Sequence, residues 1–314
     1  MYTNIRIKLR NFIKEHKWKV ILGIIAWAVL FVINQFLANA KIEVPITTYD
    51  PYKPIIENGQ TTPNKWQEKI ENMIDEYINL CNEKEYEKAY NMINEDCRKE
   101  VYPSLEDFQA YVDYVFATDK VYSIQNYSNR DNIYIYRVRI FDDILATGLT
   151  NDTSFKYFED RMSFKETNGK LTMSVKEFID KDNFDKVYED KYIRIAITEK
   201  RINYDYEKYT IRFTNKTEHY AAISDGAMSG NIKIETENGE INQTAEGYEQ
   251  PIILPPRGSI TLSIQFTKLF DLGVKTTGMK FNNVRILRSY SGDESLKEQE
   301  LQEAVELYSF TIPL

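Results

Sequence analysis

Histidine and cysteine are scarce in this chain of 314 residues, which limits the chemistry that its side chains can do. The two histidines are His16 and His219, and the two cysteines are Cys81 and Cys97. A Ser-His-Asp or Cys-His arrangement would have to use His219, which lies in a stretch that predicts a turn entering a strand, TNKTEHYAAIS. Two thiols without neighbouring histidines do not make a zinc site. We therefore expect neither a nucleophilic site nor a bound metal.

Two pairs of adjacent carboxylates, Asp142-Asp143 and Glu159-Asp160, are the remaining candidates for acid–base chemistry. Neighbouring residues of a strand point to opposite faces of the sheet, so neither pair can act together unless a bulge intervenes. For Asp142-Asp143 a loop is the favoured interpretation. Motifs of metalloproteases, thioredoxin-like proteins and nucleotide-binding proteins do not occur in the sequence. The sequence thus predicts no catalytic residue, no cofactor and no metal site, and we expect a protein that is not an enzyme.

The charge of the chain is distributed unevenly between its two ends. The net charge is −8, yet residues 1–19 sum to +5, so the remainder sums to −13. An acidic domain is a poor binder of nucleic acid, because binding depends on clustered Lys and Arg. Nucleic acid is therefore not an expected partner. The frequent use of Tyr, Ile, Asn, Lys and Glu is typical of AT-rich coding and indicates a low-GC bacterium.

An uncharged stretch of 21 residues follows the basic end, from Val20 to Ala40. At 1.5 Å per residue it is long enough to cross a bilayer as a helix, and positive residues stay in the cytoplasm. This predicts a single-pass protein of the cell membrane, with the N-terminus cytoplasmic and the C-terminus extracellular. The alternative is a cleaved signal peptide, because Ala38-Asn39-Ala40 is typical of a cleavage site.

Cys81 and Cys97 both fall in the part that either interpretation exports, where oxidation can form a disulfide. Cys81 also continues the apolar face of a predicted helix, and a buried free cysteine behaves as a small hydrophobic residue. The sequence leaves both possibilities open, a disulfide or two buried thiols.

A proline-rich stretch, residues 41–63, predicts an extended spacer, and Thr62-Pro63 predicts the start of a helix. Apolar residues then recur at helical spacing on one face: Trp66, Ile70, Met73, Ile74, Tyr77, Ile78 and Cys81. A second helix is predicted around Tyr86–Tyr90. A third begins at Ser104, whose spacing to Asp107 indicates a capping box.

From Val121 the apolar period shifts to two, which predicts strands, and Asn168-Gly169 predicts a tight hairpin because a type I′ turn needs φ > 0 at both positions. Helices first and sheet second, together with the segment from Tyr86 to Tyr90, YEKAY, resemble the nuclear-transport-factor-two-like superfamily. The resemblance covers about residues 64–180. It implies helices packed on a curved antiparallel sheet, and enzymes of that superfamily place acids, His or Tyr in the mouth of the cone so formed.

Residues 181–190, KDNFDKVYED, predict a polar linker, after which residues 191–314 alternate as about eight short strands. The stretch LPPRGSITLSIQF resembles exported bacterial immunoglobulin-like domains, and this resemblance implies architecture alone. Residues 295–305 predict a short exposed helix or a solvated insert. The predicted fold class is therefore α+β, followed by an all-β immunoglobulin-like sandwich, behind one transmembrane helix. The predicted segments are a tail (1–19), a membrane helix (20–40), a spacer (41–63), the α+β domain (64–180), a linker (181–190) and the sandwich (191–314).

Three functions fit these patterns. The favoured hypothesis is a membrane-anchored, extracytoplasmic, non-catalytic binding or scaffolding protein of the cell envelope, with an envelope protein as partner. The alternatives are a scaffold subunit of a secretion or conjugation channel, or a small-molecule pocket, enzymatic or not, in residues 64–180. A deep pocket with converging polar groups would favour the last of these.

Overall fold

The computed structural model describes residues 16–18, 53–56, 60–142, 157–292 and 296–314. Residues Pro51–Leu314 form one compact unit, in which four helices come first and strands follow.

The helices lie between residues 64 and 115, and α1 presents the apolar face that the sequence predicts. Residues Trp66, Ile70, Ile74, Tyr77, Ile78 and Cys81 are buried along it. The last helix begins with the predicted capping box, in which the Ser104 hydroxyl accepts from the Asp107 backbone and the Asp107 side chain accepts in return. The helices are α1 (Asn64–Asn82), α2 (Tyr86–Met92), α3 (Glu95–Val101) and α4 (Leu105–Val115).

A four-stranded antiparallel sheet follows in the order β1-β2-β3-β4. Its strands are β1 (Lys120–Arg130), β2 (Ile133–Asp142), β3 (Tyr157–Thr167) and β4 (Lys170–Ser174). The hairpin between β3 and β4 turns at Asn168 and Gly169 with φ of +51° and +77°, as the sequence predicts. The helices cover one face of this sheet and enclose the first core, which runs from Trp66 to Phe178. We call residues 60–177 the helix-and-sheet region.

Two further sheets face each other across a second core. One has the order β12-β7-β6-β5, with β5 (Phe178–Glu189), β6 (Ile193–Asn203), β7 (Tyr206–Asn215) and β12 (Ser259–Thr267). The other has the order β10-β9-β13-β8-β11, with β14 paired to β13. Its strands are β8 (Tyr220–Ser224), β9 (Ile232–Thr236), β10 (Gly239–Asn242), β11 (Ile252–Leu254), β13 (Thr276–Leu287) and β14 (Ala304–Pro313). We call residues 178–314 the sandwich.

The second core is built from the alternating inward residues of both sheets, such as Phe213 of β7 and Phe281 of β13, whose rings lie 6.1 Å apart. A short helix, α5 (Glu298–Gln302), lies in the segment for which the sequence leaves a helix or an insert open. Two 3-10 turns lie in loops between strands: Ala227–Ser229 follows β8, and Phe270–Leu272 follows β12.

The predicted fold class needs correction. In the described residues strands far outnumber helices. The helices α1 to α4 all lie in the helix-and-sheet region. The fold is mostly β because β1, β2 and β3 are each ten or eleven residues long, and because β5 adds a strand where a linker is predicted. The class α+β, followed by a separate all-β sandwich behind a transmembrane helix, is therefore wrong.

The membrane assignment is also corrected. Within the part of the chain that the structure describes, no helix combines the length and the apolar character needed to cross a bilayer. The predicted span, Val20 to Ala40, lies outside the described residues. The structure therefore does not support the prediction of a single-pass membrane protein with an extracellular C-terminus.

Two predicted connecting segments are structured where they are described. In the predicted spacer, the backbone amides of Ile55 and Ile56 donate to carbonyls of β1, and Thr62 is buried against the side chains of Asn126 and Tyr136. Thr62 therefore does not cap α1, which begins after Pro63 without a side-chain cap. In the predicted linker, residues 178–189 form β5, hydrogen bonded along β6.

Candidate functional site

The carboxylate of Asp160 lies in the first core, although the adjacent Glu159 lies at the surface. The two residues point to opposite faces of β3, as the sequence predicts, and Glu159 pairs with Arg139 at 2.7 Å. Asp160 is 3% exposed, and its Oδ1 accepts a hydrogen bond of 2.8 Å from the backbone N–H of Lys176. Its Oδ2 has no hydrogen-bond partner among the described residues. A buried carboxylate with one unpaired oxygen is unusual enough to mark a candidate site.

Three tyrosines from three different helical elements interact electrostatically with this carboxylate: Tyr77 of α1, Tyr102 at the end of α3, and Tyr111 of α4. Tyr77 is 1% exposed and Tyr102 5% exposed. Their hydroxyls also lack a hydrogen-bond partner within the described ranges. Burial raises the pKa of all three phenols, so each of them stays neutral at physiological pH.

Aromatic rings and one lysine pack together beside this group. The Tyr102 ring lies 5.2 Å from Phe108 and 5.1 Å from Tyr111. The Lys176 ammonium lies 4.5 Å from the Tyr111 ring and 4.3 Å from the Phe158 ring, in the geometry of a cation–π contact. We call Tyr102, Phe108, Tyr111 and Lys176 the cover.

Burial raises the pKa of Asp160 to about 6, and the nearby Lys176 charge and its backbone N–H partly oppose this rise. A carboxyl group with such a pKa changes its charge close to neutral pH, which is the property that a general acid or base needs. The side chains around it, however, are packed against one another. In the described structure the Asp160 carboxyl is therefore closed off from solutes.

Cys81 and Cys97 are both free and buried in the same core, so the disulfide alternative is wrong and that of buried thiols is confirmed. The Cys97 sulfur contacts the backbone of Val175 at 3.4 Å from its nitrogen and 3.5 Å from its oxygen. Burial raises the pKa of each thiol to about 12. Because the thiolate is the nucleophile, neither cysteine is reactive in this structure.

The other residues considered from the sequence are not brought together. Asp142 ends β2, where its carboxylate accepts from the side chains of Thr118 and Lys120, and Asp143 lies outside the described residues. His219 is exposed at a turn immediately before β8, as predicted, and its backbone contacts Thr217.

A second group of polar side chains joins the helix-and-sheet region to the sandwich. Arg161 of β3 pairs with Glu177 and, at 3.4 Å, with Asp205 on the turn between β6 and β7. Its guanidinium also lies 4.7 Å from the Tyr204 ring. At the end of α3, Glu100 pairs with two sandwich residues, Lys181 at 3.2 Å and Arg201 at 2.5 Å.

Asp271, on the 3-10 turn before β13, makes the third contact of this kind. Its carboxylate accepts from the hydroxyls of Ser128 and Tyr204, and its backbone carbonyl accepts from Arg130 at 3.1 Å. A small apolar cluster of Ile133, Ile135, Ile179 and Tyr204 is buried at the same boundary. We call the contacts of Arg161, Glu100 and Asp271, together with this cluster, the junction.

The sandwich also carries a cleft of about 310 Å³, lined by Gln250, Pro251, Ile253 and Tyr290. It lies beside β11, a strand of three residues at the edge of its sheet, with Pro251 before it and Pro255 after it. Prolines beside a short edge strand oppose the addition of another strand. None of the lining side chains is charged.

No protein-family model, curated protein or solved structure matches this chain. The resemblances to the nuclear-transport-factor-two-like and immunoglobulin-like domains therefore stay predictions.

The sequence offers Asp160 only as one half of a carboxylate pair and does not predict it as a site residue, although a signal for its burial is present. Asp160 has the same parity along β3 as Phe158, Met162 and Phe164, which are inward residues of the first core. A carboxylate in register with an apolar face is buried or at the rim of the core. The junction had no comparable signal, because its partners are up to 143 positions apart in the chain.

Proposed function

We propose that this chain is a non-catalytic binding or scaffolding protein in which the helix-and-sheet region and the sandwich present one combined surface to a protein partner. The junction supports this proposal most directly. Its charged pairs and the contacts of Asp271 with Ser128 and Arg130 fix two differently built parts against each other. Separately acting binding modules would need no such contacts, since interdomain motion is the default without a substantial interface.

The arrangement of the candidate site also favours binding over catalysis. The group with the most suitable pKa, Asp160, lies behind the cover, and both thiols are protonated and buried. A catalytic group must reach the proton that it moves within about 3 Å. In this structure Asp160 reaches only the interior of the first core.

The proposal is tested by crosslinking the full chain in the cells that make it, then reconstituting each recovered protein with the purified chain. A true partner should bind with a fixed stoichiometry, and binding should survive both His219→Ala and Asp160→Asn. Asp271→Ala, which removes the junction acceptor, should weaken binding, whereas Leu272→Ser beside it should not. A partner that binds either part alone as tightly as the full chain would contradict a combined surface.

A second candidate function is a small-molecule site in the first core. The observation that favours it is the presence of three unpaired polar atoms, Asp160 Oδ2 and the hydroxyls of Tyr77 and Tyr102, among the described residues of one core. Native mass spectrometry of the purified chain would detect a co-purifying compound. Turnover of that compound, lost in Asp160→Asn, would replace the scaffolding proposal with an enzyme.

A further inference from the structure

The candidate site has an energetic conflict that depends on pH. Its carboxyl group is 3% exposed and accepts a hydrogen bond of 2.8 Å from the Lys176 backbone N–H. An ionised carboxylate in this position has lost its water and leaves Oδ2 unpaired among the described residues. A protonated carboxyl group in the same position loses far less, because burial disfavours the charged form.

The phenols and the thiol around Asp160 do not change charge between pH 5 and 8. The phenols of Tyr77, Tyr102 and Tyr111 and the thiol of Cys97 have raised pKa values and stay neutral. Lys176 has a lowered pKa because of burial, with Asp160 opposing the shift. Glu177, next in the chain, has a pKa raised by burial, and its charge in turn raises the pKa of Asp160, while its carboxylate pairs with Arg161 at the junction.

The cover lies on segments outside the first sheet, mainly the turn between β4 and β5 and the helix α4. Lys176 and Glu177, between β4 and β5, have φ of +54° and +62°, which is strained for residues other than glycine. Tyr111 and Phe108 lie on α4, a helix of eleven residues whose C-terminal carbonyls, of Val112 and Phe116, accept from the Lys84 side chain. Displacing α4 and the turn would expose Asp160 without separating the strands of the first sheet.

We propose that ionisation of Asp160 opens the cover, so that the interior of the first core admits water and small polar solutes at neutral pH and is closed in mild acid. The closed form is the one described here. In the open form the carboxylate regains hydration, which offsets the loss of contacts among Tyr102, Tyr111 and Lys176. The raised pKa of Asp160 in the closed form, about 6, agrees with this coupling. A carboxyl group whose pKa is lower in the open form than in the closed form shifts the equilibrium toward the open form when it ionises.

Hydrogen exchange of the full chain, followed by mass spectrometry from pH 5 to pH 7.5, tests this proposal. After correction for the intrinsic rate, exchange in peptides covering α4 and residues 174–178 should rise about tenfold across that range, as expected for a carboxyl whose pKa is about 6 when closed and about 4 when open. Peptides covering β7, in the second core, should show no such rise and serve as an internal reference.

Asp160→Asn, which is neutral at every pH, should remove the rise, and Glu159→Gln, which neutralises the outward neighbour, should retain it. Glu177→Gln should also retain it, since that side chain faces Arg161. The same pH dependence in Asp160→Asn as in the unmodified chain would overturn the proposal. So would equal corrected exchange at pH 5 and pH 7.5 in the unmodified chain, a result that does not depend on any variant.

Discussion

Asp160 affects the stability of the folded chain in a way that depends on pH. Its pKa in the folded state is about 6, above the value of about 3.9 for an exposed aspartate. A raised folded pKa means that the group stabilises the fold when protonated, below pH 4, and that this contribution is lost as the pH rises through 6.

The variant Asp160→Asn should therefore be more stable than the unmodified chain at pH 7.5. The expected gain in the free energy of unfolding is about 2–3 kcal/mol, from a shift of about two pKa units at 1.4 kcal/mol each. At pH 4 the gain should vanish, because the native aspartate is then protonated. Urea unfolding at the two pH values measures this directly. Glu159→Gln is the matched control, and a similar gain from that outward-facing, half-buried site would show that general charge, and not burial of Asp160, is responsible.

At the residue scale the sequence predicted which way neighbouring side chains face, but not which distant groups they contact. The opposite orientation of Glu159 and Asp160 follows from the two-residue period of a strand, so it was predictable. The hydrogen bond from Lys176 to Asp160 was not predictable, because it joins β3 to the turn after β4, and their approach depends on the fold of both strands. The same holds for Cys97, whose neighbour Val175 is 78 positions away.

The turns of this chain show most clearly whether a backbone conformation is determined by local sequence or by tertiary contacts. Asn168-Gly169 has left-handed backbone and the residue types that favour it, so the sequence predicts its hairpin. Lys176 and Glu177 have left-handed backbone without glycine or asparagine, and their conformation is held by contacts with Asp160 and Arg161. No local pattern could have identified that turn.

Gly273, at φ +60°, ends the 3-10 turn that carries Asp271, and a Cβ there would collide with the Arg130 guanidinium. Gly273→Ala should lower the free energy of unfolding by about 2–3 kcal/mol, from backbone strain and from loss of the Arg130 contact with Asp271. Gly169→Ala has the strain without the collision, since no described atom lies within 4 Å of its Cβ. That variant should cost about 1 kcal/mol. If thermal unfolding shows that Gly273→Ala and Gly169→Ala lose equal stability, the contact of Arg130 with Asp271 contributes nothing.

The strand β5 shows why the sequence placed a linker where the fold has a strand. Its residues from Lys181 to Asp190 are mostly charged, as in a solvated connection. As an edge strand, β5 tolerates charge on its outer side, and such charge also discourages pairing with other chains. Only Phe184 and Tyr188 pack against the second core, which is too few for a clear periodic signal.

At the scale of the whole molecule, the order of the elements was largely predictable, but their association into one compact unit was not. The change of period near residue 179 suggested two separate domains. The junction instead connects them through Asp271, Arg161 and Glu100, whose partners lie in the other part of the chain. Long-range ion pairs leave no pattern in a single sequence.

Asp271→Ala should destabilise the chain through one contact across the junction and one within the sandwich. It removes the acceptor of the Ser128 hydroxyl across the junction and that of the buried Tyr204 within the sandwich, and should cost about 3 kcal/mol in urea unfolding. Leu272→Ser alters the next side chain, which is 59% exposed, and should change stability by less than about 0.5 kcal/mol. If the two variants are equally stable, the junction contributes little to folding.

A fragment of residues 179–314 should fold, and one of residues 191–314 should fold less well. The shorter fragment lacks β5, so β6 loses a hydrogen-bonded neighbour, and Phe310 loses its stacking contact with Tyr188 at 4.0 Å. The melting temperature of the shorter fragment, followed by circular dichroism, should be lower by at least about 5 °C. Equal melting temperatures would restore the boundary that the sequence predicts.

The strand β14 has a consequence for the order in which the chain folds during synthesis. All members of the first core have been made by Phe178, whereas the second core includes Ile312 of β14, which pairs with Met279. Domains generally fold as units from the N-terminus while translation continues. The helix-and-sheet region can therefore be complete on the ribosome while the sandwich still exposes Phe281 and its neighbours. Protease digestion of stalled nascent chains should protect the first core well before the second, and the interval between the two is when this protein most needs a chaperone.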